Sequence, residues 1–283
     1  MPKNTLLACL AHPDDESFGL GGTMARLGAN GTHVALVCAT RGEVGEISDP
    51  ALATPATLPQ VREAELRCAC SALNVDELIF LDYRDSGMAG TPENNDPRAF
   101  ANIPAEEVVP RLVGLIRRLR PQVVVTFDPS GGYGHPDHIA IHLHTVAAFH
   151  AAADASRYPE QGPAWQPEQL LYVVFPRNFF ADMRQKLAEM GIDTSDWDDR
   201  EERHMGWPDD QIDFVLDVSE AVEAKWAALE CHRTQFGPNN PFKKFPLEIT
   251  RQMMGREFLV QVWPEPNGQA TLPEIFAGLA ATL

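Results

Sequence analysis

A cluster of histidine, proline and acidic residues, His12–Glu16 (HPDDE), directly follows a short apolar run near the N-terminus. His12 and Asp15 lie three positions apart across a predicted strand-to-helix turn, a spacing that lets an imidazole and a carboxylate converge. Zinc accepts that mixture of ligands, and a catalytic zinc commonly takes three protein ligands and leaves one position for water. Asp14 stands beside a predicted ligand, where its carboxylate could accept a proton from that water. The cluster therefore predicts one part of a hydrolytic metal site.

A second cluster, Gly131–His138 (GGYGHPDH), follows a later apolar run and repeats the His-Pro-Asp tripeptide. Its glycines permit tight turns and a close approach of the backbone to a ligand, and each proline stiffens its turn. Helix-capping aspartates beside ordinary histidines are the alternative interpretation of one such cluster. Two clusters at equivalent strand-to-helix junctions favour a shared site.

The elements that must position these clusters alternate between short apolar strands and longer helices. Strands are predicted at Thr5–Ala11, His33–Ala39, Glu77–Leu81 and Gln122–Phe127, and helices at Ser17–Ala29, Val61–Leu73, Glu106–Leu119 and His138–Ala152. This alternation predicts an α/β fold with a Rossmann-like, doubly wound, mostly parallel sheet. Ligands bind at the carboxyl ends of the strands in such a sheet, so we expect the two clusters, about 120 positions apart, to meet there.

The sequence pattern changes in the rest of the chain, after about residue 156. Further strands are predicted at Leu170–Phe175, Phe214–Val218 and Phe258–Trp263, with a helix at Ala221–Cys231 and a solvated acidic run at Asp193–Glu202. We expect residues 1–155 to form a Rossmann-like catalytic core. Residues 156–283 would be an extension of the same domain that completes the sheet and the substrate cleft, because no flexible linker separates the two parts.

The charge balance argues against polyanionic partners. The 23 basic and 40 acidic side chains give a formal net charge of −17, which repels phosphate backbones and anionic lipids. Neither a signal peptide of ordinary form nor a stretch long enough to span a bilayer is recognisable, so we expect a cytoplasmic protein. The five cysteines are interpreted mostly as buried thiols, which suit a reducing compartment.

The two clusters resemble the paired signatures of a known family. Ala11–Glu16 (AHPDDE) and Gly134–His138 (GHPDH) are similar to those of the LmbE-like (PIG-L) N-acetylglucosaminyl deacetylases. Thr40–Glu43 (TRGE) and Tyr83–Met88 (YRDSGM) look like the branch that acts in mycothiol and bacillithiol biosynthesis. The resemblance covers roughly residues 5–150 and continues weakly to a His-x-x-Gln at residues 232–235.

This resemblance implies a ligand set and a base. His12, Asp15 and His138 would bind one zinc ion, with Fe²⁺ as another acceptable metal, and Asp14 would be the general base. An amide resists attack by water, so a Lewis acid is needed to polarise its carbonyl.

The resemblance also implies roles for the rest of the second cluster. His135 would stabilise the oxyanion or protonate the leaving amine, and Tyr133 would lie near the developing oxyanion. Asp137 would orient an imidazole.

Three residues are weaker candidates for contacts with a sugar: Arg62, Arg84 and Asp85. Arg62 could equally pair with acidic neighbours on its own helix, whereas Asp85 ends a predicted strand at the edge where ligands bind. No role is assigned to His232.

Other tempting residues have simpler interpretations. His142 and His144 follow His138 on one predicted helix, where histidines more often pack or face water than bind metal. The glycines of Gly19–Thr23 resemble half of a dinucleotide fingerprint, but the third glycine and the ribose-binding acid are missing, so close helix–sheet packing is the better explanation.

The sequence thus favours a zinc-dependent deacetylase of an N-acetylglucosamine conjugate, linked to inositol or malate, in the biosynthesis of a low-molecular-weight thiol. A thiol S-conjugate amidase, or a deacetylase of another N-acetylglucosamine metabolite, is the neighbouring alternative. From other classes, a nucleotide-binding oxidoreductase and a non-catalytic sugar- or metal-binding module stay open. The expected partner is a small N-acetylated amino sugar; the oligomeric state is unreadable, with a homo-oligomer as one option.

Overall fold

A computed structural model describes residues 4–192 and 206–279 of the chain. The acidic run predicted at Asp193–Glu202 lies outside these residues. The strands are β1 (Thr5–Leu10), β2 (His33–Thr40), β3 (Glu77–Tyr83), β4 (Val123–Phe127), β5 (Gln169–Val174), β6 (Phe214–Asp217) and β7 (Arg256–Trp263).

One seven-stranded sheet contains all of these strands, in the order β3-β2-β1-β4-β5-β7-β6. Strands β1 to β5 run parallel, and β7 pairs antiparallel with both β5 and β6. The strand order reverses where β1 pairs with β4, because the chain connections leave these two strands in opposite directions. A crevice therefore lies outside the carboxyl ends of β1 and β4. The predicted α/β, mostly parallel sheet is confirmed.

The helices are α1 (Asp15–Gly19), α2 (Gly21–Ala29), α3 (Leu58–Ala72), α4 (Ala105–Leu119), α5 (Gly131–Gly134), α6 (Pro136–Ala153), α7 (Phe179–Glu189), α8 (Val222–Cys231) and α9 (Leu247–Met254). Helix α4 packs against α6, while α2 and α3 both pack against α8. Every residue of β1 and β4 is buried, as expected for strands that are covered on both faces. Within the described residues, none of the helices is long and apolar enough to cross a membrane.

The helix predicted at Ser17–Ala29 is in fact two helices that meet at Leu20. The glycines around this break allow tight packing: a Cβ on Gly19 would lie 2.8 Å from Val173, and one on Gly22 would lie 2.5 Å from Val218. These contacts agree with the packing interpretation of the glycine run.

The cysteines are only partly as predicted. Cys9, Cys38 and Cys70 are buried free thiols. Cys68 of α3 and Cys231 of α8 instead form a disulfide, with their Cα atoms 5.8 Å apart. Most of the cysteines are thus buried thiols, as expected, and these two are the exceptions. A pairing across 163 positions depends on α3 packing against α8, which no local spacing reveals.

Candidate active site

The two His-Pro-Asp clusters meet at the crevice outside β1 and β4. His12 follows the end of β1, and His138 lies in the first turns of α6, 126 positions later in the chain. Both imidazoles are buried, and the Nδ1 atom of His12 lies 3.2 Å from the Nε2 atom of His138. Their juxtaposition is the one that the parallel sheet predicts.

Asp15 completes a set of three donors. Its Oδ1 atom lies 3.3 Å from the Nε2 of His138, and its Oδ2 atom lies 3.8 Å from the Nδ1 of His12. The same Oδ2 accepts hydrogen bonds from the backbone amides of Ala11 and His12, at 3.1 and 2.7 Å. The end of β1 therefore fixes the carboxylate against both imidazoles.

The outer nitrogen of each imidazole faces an acceptor. The Nδ1 of His138 lies 3.0 Å from the carbonyl oxygen of Gly131, and the Nε2 of His12 lies 3.1 Å from Oδ2 of Asp137. If each outer nitrogen carries the proton, the two inner nitrogens turn unshared electron pairs toward each other and toward Asp15. Such a donor set suits a divalent cation, and it has the carboxylate and carbonyl partners that usually orient metal-binding imidazoles.

Other acceptors also surround His12. Ligand atoms of His12, His135 and His138 lie within 4.8 Å of one another, and so do those of a second group: His12, Asp85, His135 and Asp137. Asp137 is completely buried and also accepts hydrogen bonds from the backbone and hydroxyl of Ser86. It is therefore held as an orienting partner of His12.

Asp14 projects beside this cluster from an unusual backbone conformation. Its φ of 116° is in the region that side chains rarely adopt, and its side chain is 19% exposed. The Nη2 atom of Arg62 lies 3.3 Å from one carboxylate oxygen. Burial raises the pKa of Asp14 to about 6, although the charge of Arg62 opposes the rise. A carboxylate with this pKa is ionised at neutral pH and is a much stronger base than an ordinary aspartate.

His135 and Tyr133 line the same crevice. The ring of His135 is centred 4.5 Å from that of His12, and its Nδ1 accepts the backbone amide of Asp137, so the ring proton lies on Nε2. Burial, together with the neighbouring imidazoles of His12 and His138, lowers the pKa of His135 to about 4, which keeps this side chain neutral near pH 7. Tyr133 is 48% exposed, with its ring centred 5.0 Å from that of His138.

The three residues predicted to contact a sugar are placed differently from one another. Arg62 is buried and donates hydrogen bonds to the carbonyls of Gly42 and Pro13. Asp85 is also buried, 3.6 Å from the Nε2 of His12. Arg84 instead pairs with Asp96, 3.3 Å away, and the structure does not bring it into the cluster.

The histidines with simpler interpretations lie away from the donor set. The Nδ1 of His142 lies 2.9 Å from the carbonyl of Phe127, and His144 packs edge-on against Phe100. Neither belongs to a group of converging metal donors among residues 4–192 and 206–279. His204 lies outside the described residues.

Sequence reasoning missed a contact beneath Asp14. His232, to which no role was assigned, is completely buried, and its Nε2 lies 2.7 Å from Oε1 of Glu16. The only sequence signal was the weak resemblance of residues 232–235 to a His-x-x-Gln of relatives, which does not disclose a partner 216 positions away.

Comparisons with known proteins agree with this geometry. The family model PIG-L, described as GlcNAc-PI de-N-acetylase, matches residues 7–149. The chain is 38% identical to a 1D-myo-inositol 2-acetamido-2-deoxy-alpha-D-glucopyranoside deacetylase of Geodermatophilus obscurus, over 98% of this chain and 99% of that protein. A protein of the same name, numbered 1, from Catenulispora acidiphila is also 38% identical, over 97% of this chain and 89% of its own length.

A solved structure shares the fold. The N,N'-diacetylchitobiose deacetylase of Pyrococcus horikoshii superposes with a TM-score of 0.65 over 92% of this chain and 84% of that one, at 19% identity. The family match over half the chain and the full-length relatives confirm the resemblance seen in the two signatures. This chain belongs to the PIG-L family of deacetylases.

Proposed function

We propose that this protein is a zinc-dependent deacetylase that hydrolyses the N-acetyl amide of an N-acetylglucosaminyl-inositol to a free amine and acetate. One observation carries the proposal: His12, Asp15 and His138 converge at the switch point of the sheet, with Asp14 beside them. The inositol-linked substrate is favoured over the malate-linked one because the relatives that match nearly the whole chain are named for it. Such a reaction would serve the biosynthesis of a low-molecular-weight thiol.

The metal would be held by the Nδ1 of His12, a carboxylate oxygen of Asp15 and the Nε2 of His138. When bound, a zinc ion supplies a Lewis acid that polarises the acetyl carbonyl and makes water a better nucleophile at neutral pH. Ferrous iron suits the same nitrogen and oxygen donors. Asp137 and the carbonyl of Gly131 would hold the two imidazoles in the correct orientation.

Asp14 would take the proton from the attacking water. Its pKa of about 6 leaves it ionised at neutral pH, and Arg62 keeps its carboxylate in place at 3.3 Å. The same proton, once on Asp14, is available to the nitrogen when the C–N bond breaks. The chain then returns to its starting protonation state and releases amine and acetate.

His135 would stabilise the oxyanion. Because its pKa of about 4 leaves it neutral near pH 7, the side chain can donate a hydrogen bond from Nε2 but carries no spare proton for the amine. Of the two roles implied by the family resemblance, the structure therefore favours the oxyanion contact. Tyr133, at the open side of the crevice, is the second candidate donor to that oxygen.

Sugar contacts by Arg62, Arg84 and Asp85 stay predictions, as do the cytoplasmic location and the oligomeric state. Arg62 donates hydrogen bonds to the backbone and to Asp14, and the carboxylate of Asp85 accepts hydrogen bonds from the amides of Val44 and Gly87. Arg84, which is 38% exposed, has the most freedom to reach a bound ligand.

A turnover panel tests the proposal. The zinc-loaded protein is assayed for release of a free sugar amine from N-acetylglucosaminyl-inositol, N-acetylglucosaminyl-malate, N,N'-diacetylchitobiose and a thiol S-conjugate in which an acetylated cysteine is amide-linked to the glucosamine. We expect the highest kcat/KM with the inositol conjugate, its loss in His12→Ala, and its retention in the control His142→Ala. Preferred cleavage of the S-conjugate would assign the protein to the amidase alternative, and hydrolysis of none of the four would refute the proposal.

A further inference from the structure

Glu16 is the centre of a buried hydrogen-bond network directly beneath Asp14. Its side chain is completely buried, and its Oε2 atom accepts the backbone amide of Asp14 at 3.0 Å. Its Oε1 atom accepts hydrogen bonds from the hydroxyl of Ser17 and, at 2.7 Å, from the Nε2 of His232. Burying a carboxylate costs free energy unless its oxygens accept hydrogen bonds, and here both oxygens do.

The turn above this network holds a strained backbone conformation. Asp14 has φ 116° and ψ −28°, although it carries a side chain. A residue in this region keeps its conformation only when surrounding contacts enforce it. The amide of Asp14 is bound by Glu16, and its carbonyl accepts the amide of Ser17 at 3.0 Å. Glu16 is therefore the side chain that accepts the amide of the strained residue.

His232 brings a distant part of the chain to this turn. It follows α8 immediately, and the disulfide at Cys231 ties that end of the helix to α3. Helix α3 also carries Arg62, whose guanidinium reaches the Pro13 carbonyl and the carboxylate of Asp14. Two supports thus reach the turn from the same pair of helices: His232 acts through Glu16, and Arg62 binds the Pro13 carbonyl and the Asp14 carboxylate.

We propose that Glu16 and His232 are positioning residues that hold the carboxylate of Asp14 in its working orientation, with His232 fixing Glu16 and Glu16 fixing the Asp14 peptide. This inference rests on the proposed function, in which Asp14 is the base. The C-terminal part of the chain would thus contribute to catalysis through His232, which belongs to neither His-Pro-Asp cluster.

A second buried carboxylate, that of Glu257, provides a matched control because it binds backbone amides at the start of α2 and not the turn at Asp14. Glu257 is buried, accepts the backbone amides of Gly22 and Thr23, both at 2.8 Å, and pairs with the buried Lys225 at 2.6 Å. Lys225 and His232 belong to the same helix and its C-cap. Lys225→Met therefore disturbs a comparable buried carboxylate without touching the turn at Asp14.

The test compares His232→Gln with His232→Asn. The terminal amide of glutamine can occupy the place of Nε2 and donate to Glu16, whereas that of asparagine corresponds to Nδ1 and falls short. We expect His232→Asn to lower kcat about 10- to 100-fold, because a misplaced catalytic group costs that much. We expect KM to stay within about threefold, the signature of a loss felt mainly in the transition state. Zinc content should be unchanged, His232→Gln should recover most of the lost rate, and Lys225→Met should lower thermal stability but not kcat.

A double-mutant comparison separates positioning from a general structural effect. If His232 acts through Asp14, His232→Asn should cause no further loss of kcat in an Asp14→Ala background. Equal losses in His232→Asn and His232→Gln, or a full additional loss in that background, would overturn the inference. If His232→Asn does not fold, Glu16→Asp, which is one methylene too short to hold both donors, is used in its place. Wild-type turnover by Asp14→Ala alone would instead refute the proposed function.

Discussion

The imidazoles of His12 and His138 have their inner nitrogens only 3.2 Å apart, and their outer nitrogens are bonded to Asp137 and to a backbone carbonyl. If the outer nitrogens carry the protons, the two inner nitrogens turn unshared electron pairs toward each other, and Asp15 adds negative charge at the same point. This convergence of two nitrogens and a carboxylate suits a divalent cation.

Replacing Asp14 should distinguish the general base from the metal ligands. Asp14→Ala should keep its metal but lose turnover about 100- to 10,000-fold, because a positioned general base contributes that much. The measurement is kcat together with metal content of the purified variant. His138→Ala is the comparison, and it should lose metal affinity first. If metal were lost from Asp14→Ala and kept by His138→Ala, the roles assigned to these side chains would be wrong.

The second prediction concerns pH. Only the ionised form of Asp14 accepts a proton, so its pKa of about 6 should appear as an acidic limb: kcat/KM falls as the pH drops below about 6. The charge of Arg62 lowers this pKa, so Arg62→Met should move the limb to higher pH. Arg84→Met, which removes an arginine paired with Asp96, should leave the limb in place. A limb that Arg62→Met left unmoved or shifted to lower pH would contradict the assignment.

Part of this residue-level picture could be predicted from the sequence. The two His-Pro-Asp clusters could be placed together because parallel strands bring their carboxyl ends to one edge, whereas the choice of His12, Asp15 and His138 within them came from the family resemblance. The pairing of Glu16 with His232 could not be predicted, since it depends on how α8 packs against the first turn. Nor did the sequence show that Arg84 turns toward Asp96.

Among the elements, the junctions after β1 and β4 do most to shape the site. Gly131 has φ 66°, and a Cβ there would lie 2.7 Å from the Cβ of His138, so the loop can approach the donor set only because this residue is glycine. The Gly131 carbonyl then orients the His138 ring.

Alternating strands and helices were predictable from hydrophobic periodicity, whereas the break at Leu20 was not, because it follows from close contacts with β5 and with Val218.

The disulfide between α3 and α8 gives a prediction for element packing. Replacing Cys68 and Cys231 together by serine should lower the free energy of unfolding by about 2–5 kcal/mol, because the cross-link restricts the unfolded chain. Denaturant unfolding of the oxidised wild-type and variant proteins measures the difference. Cys70→Ser, which removes a buried free thiol, is the control. A reductant should lower its free energy of unfolding as much as it lowers that of the wild type. If all five cysteines of the denatured, unreduced protein reacted with an alkylating agent, the cross-link would be disproved.

For the whole molecule, the doubly wound sheet explains where chemistry occurs but not which chemistry. The fold could be predicted because β1 and β4 are apolar throughout and are separated by helical sequence. The proposed reaction rests on side chains at the switch point, and the proposed inositol-linked substrate rests on the names of full-length relatives. The last three strands join the same sheet, and the segment after α8 supplies His232 beneath the base.

Metal-dependent amide hydrolysis at this crevice is the central feature of the proposed function. The direct measurement is acetate release from N-acetylglucosaminyl-inositol by protein that has been stripped with a chelator and then titrated with Zn²⁺. We predict negligible turnover without metal. Turnover should rise linearly with added Zn²⁺ and level off at about one zinc per chain, and it should not recover in His12→Ala. Turnover by the stripped protein at the rate of the zinc-loaded enzyme would contradict the account.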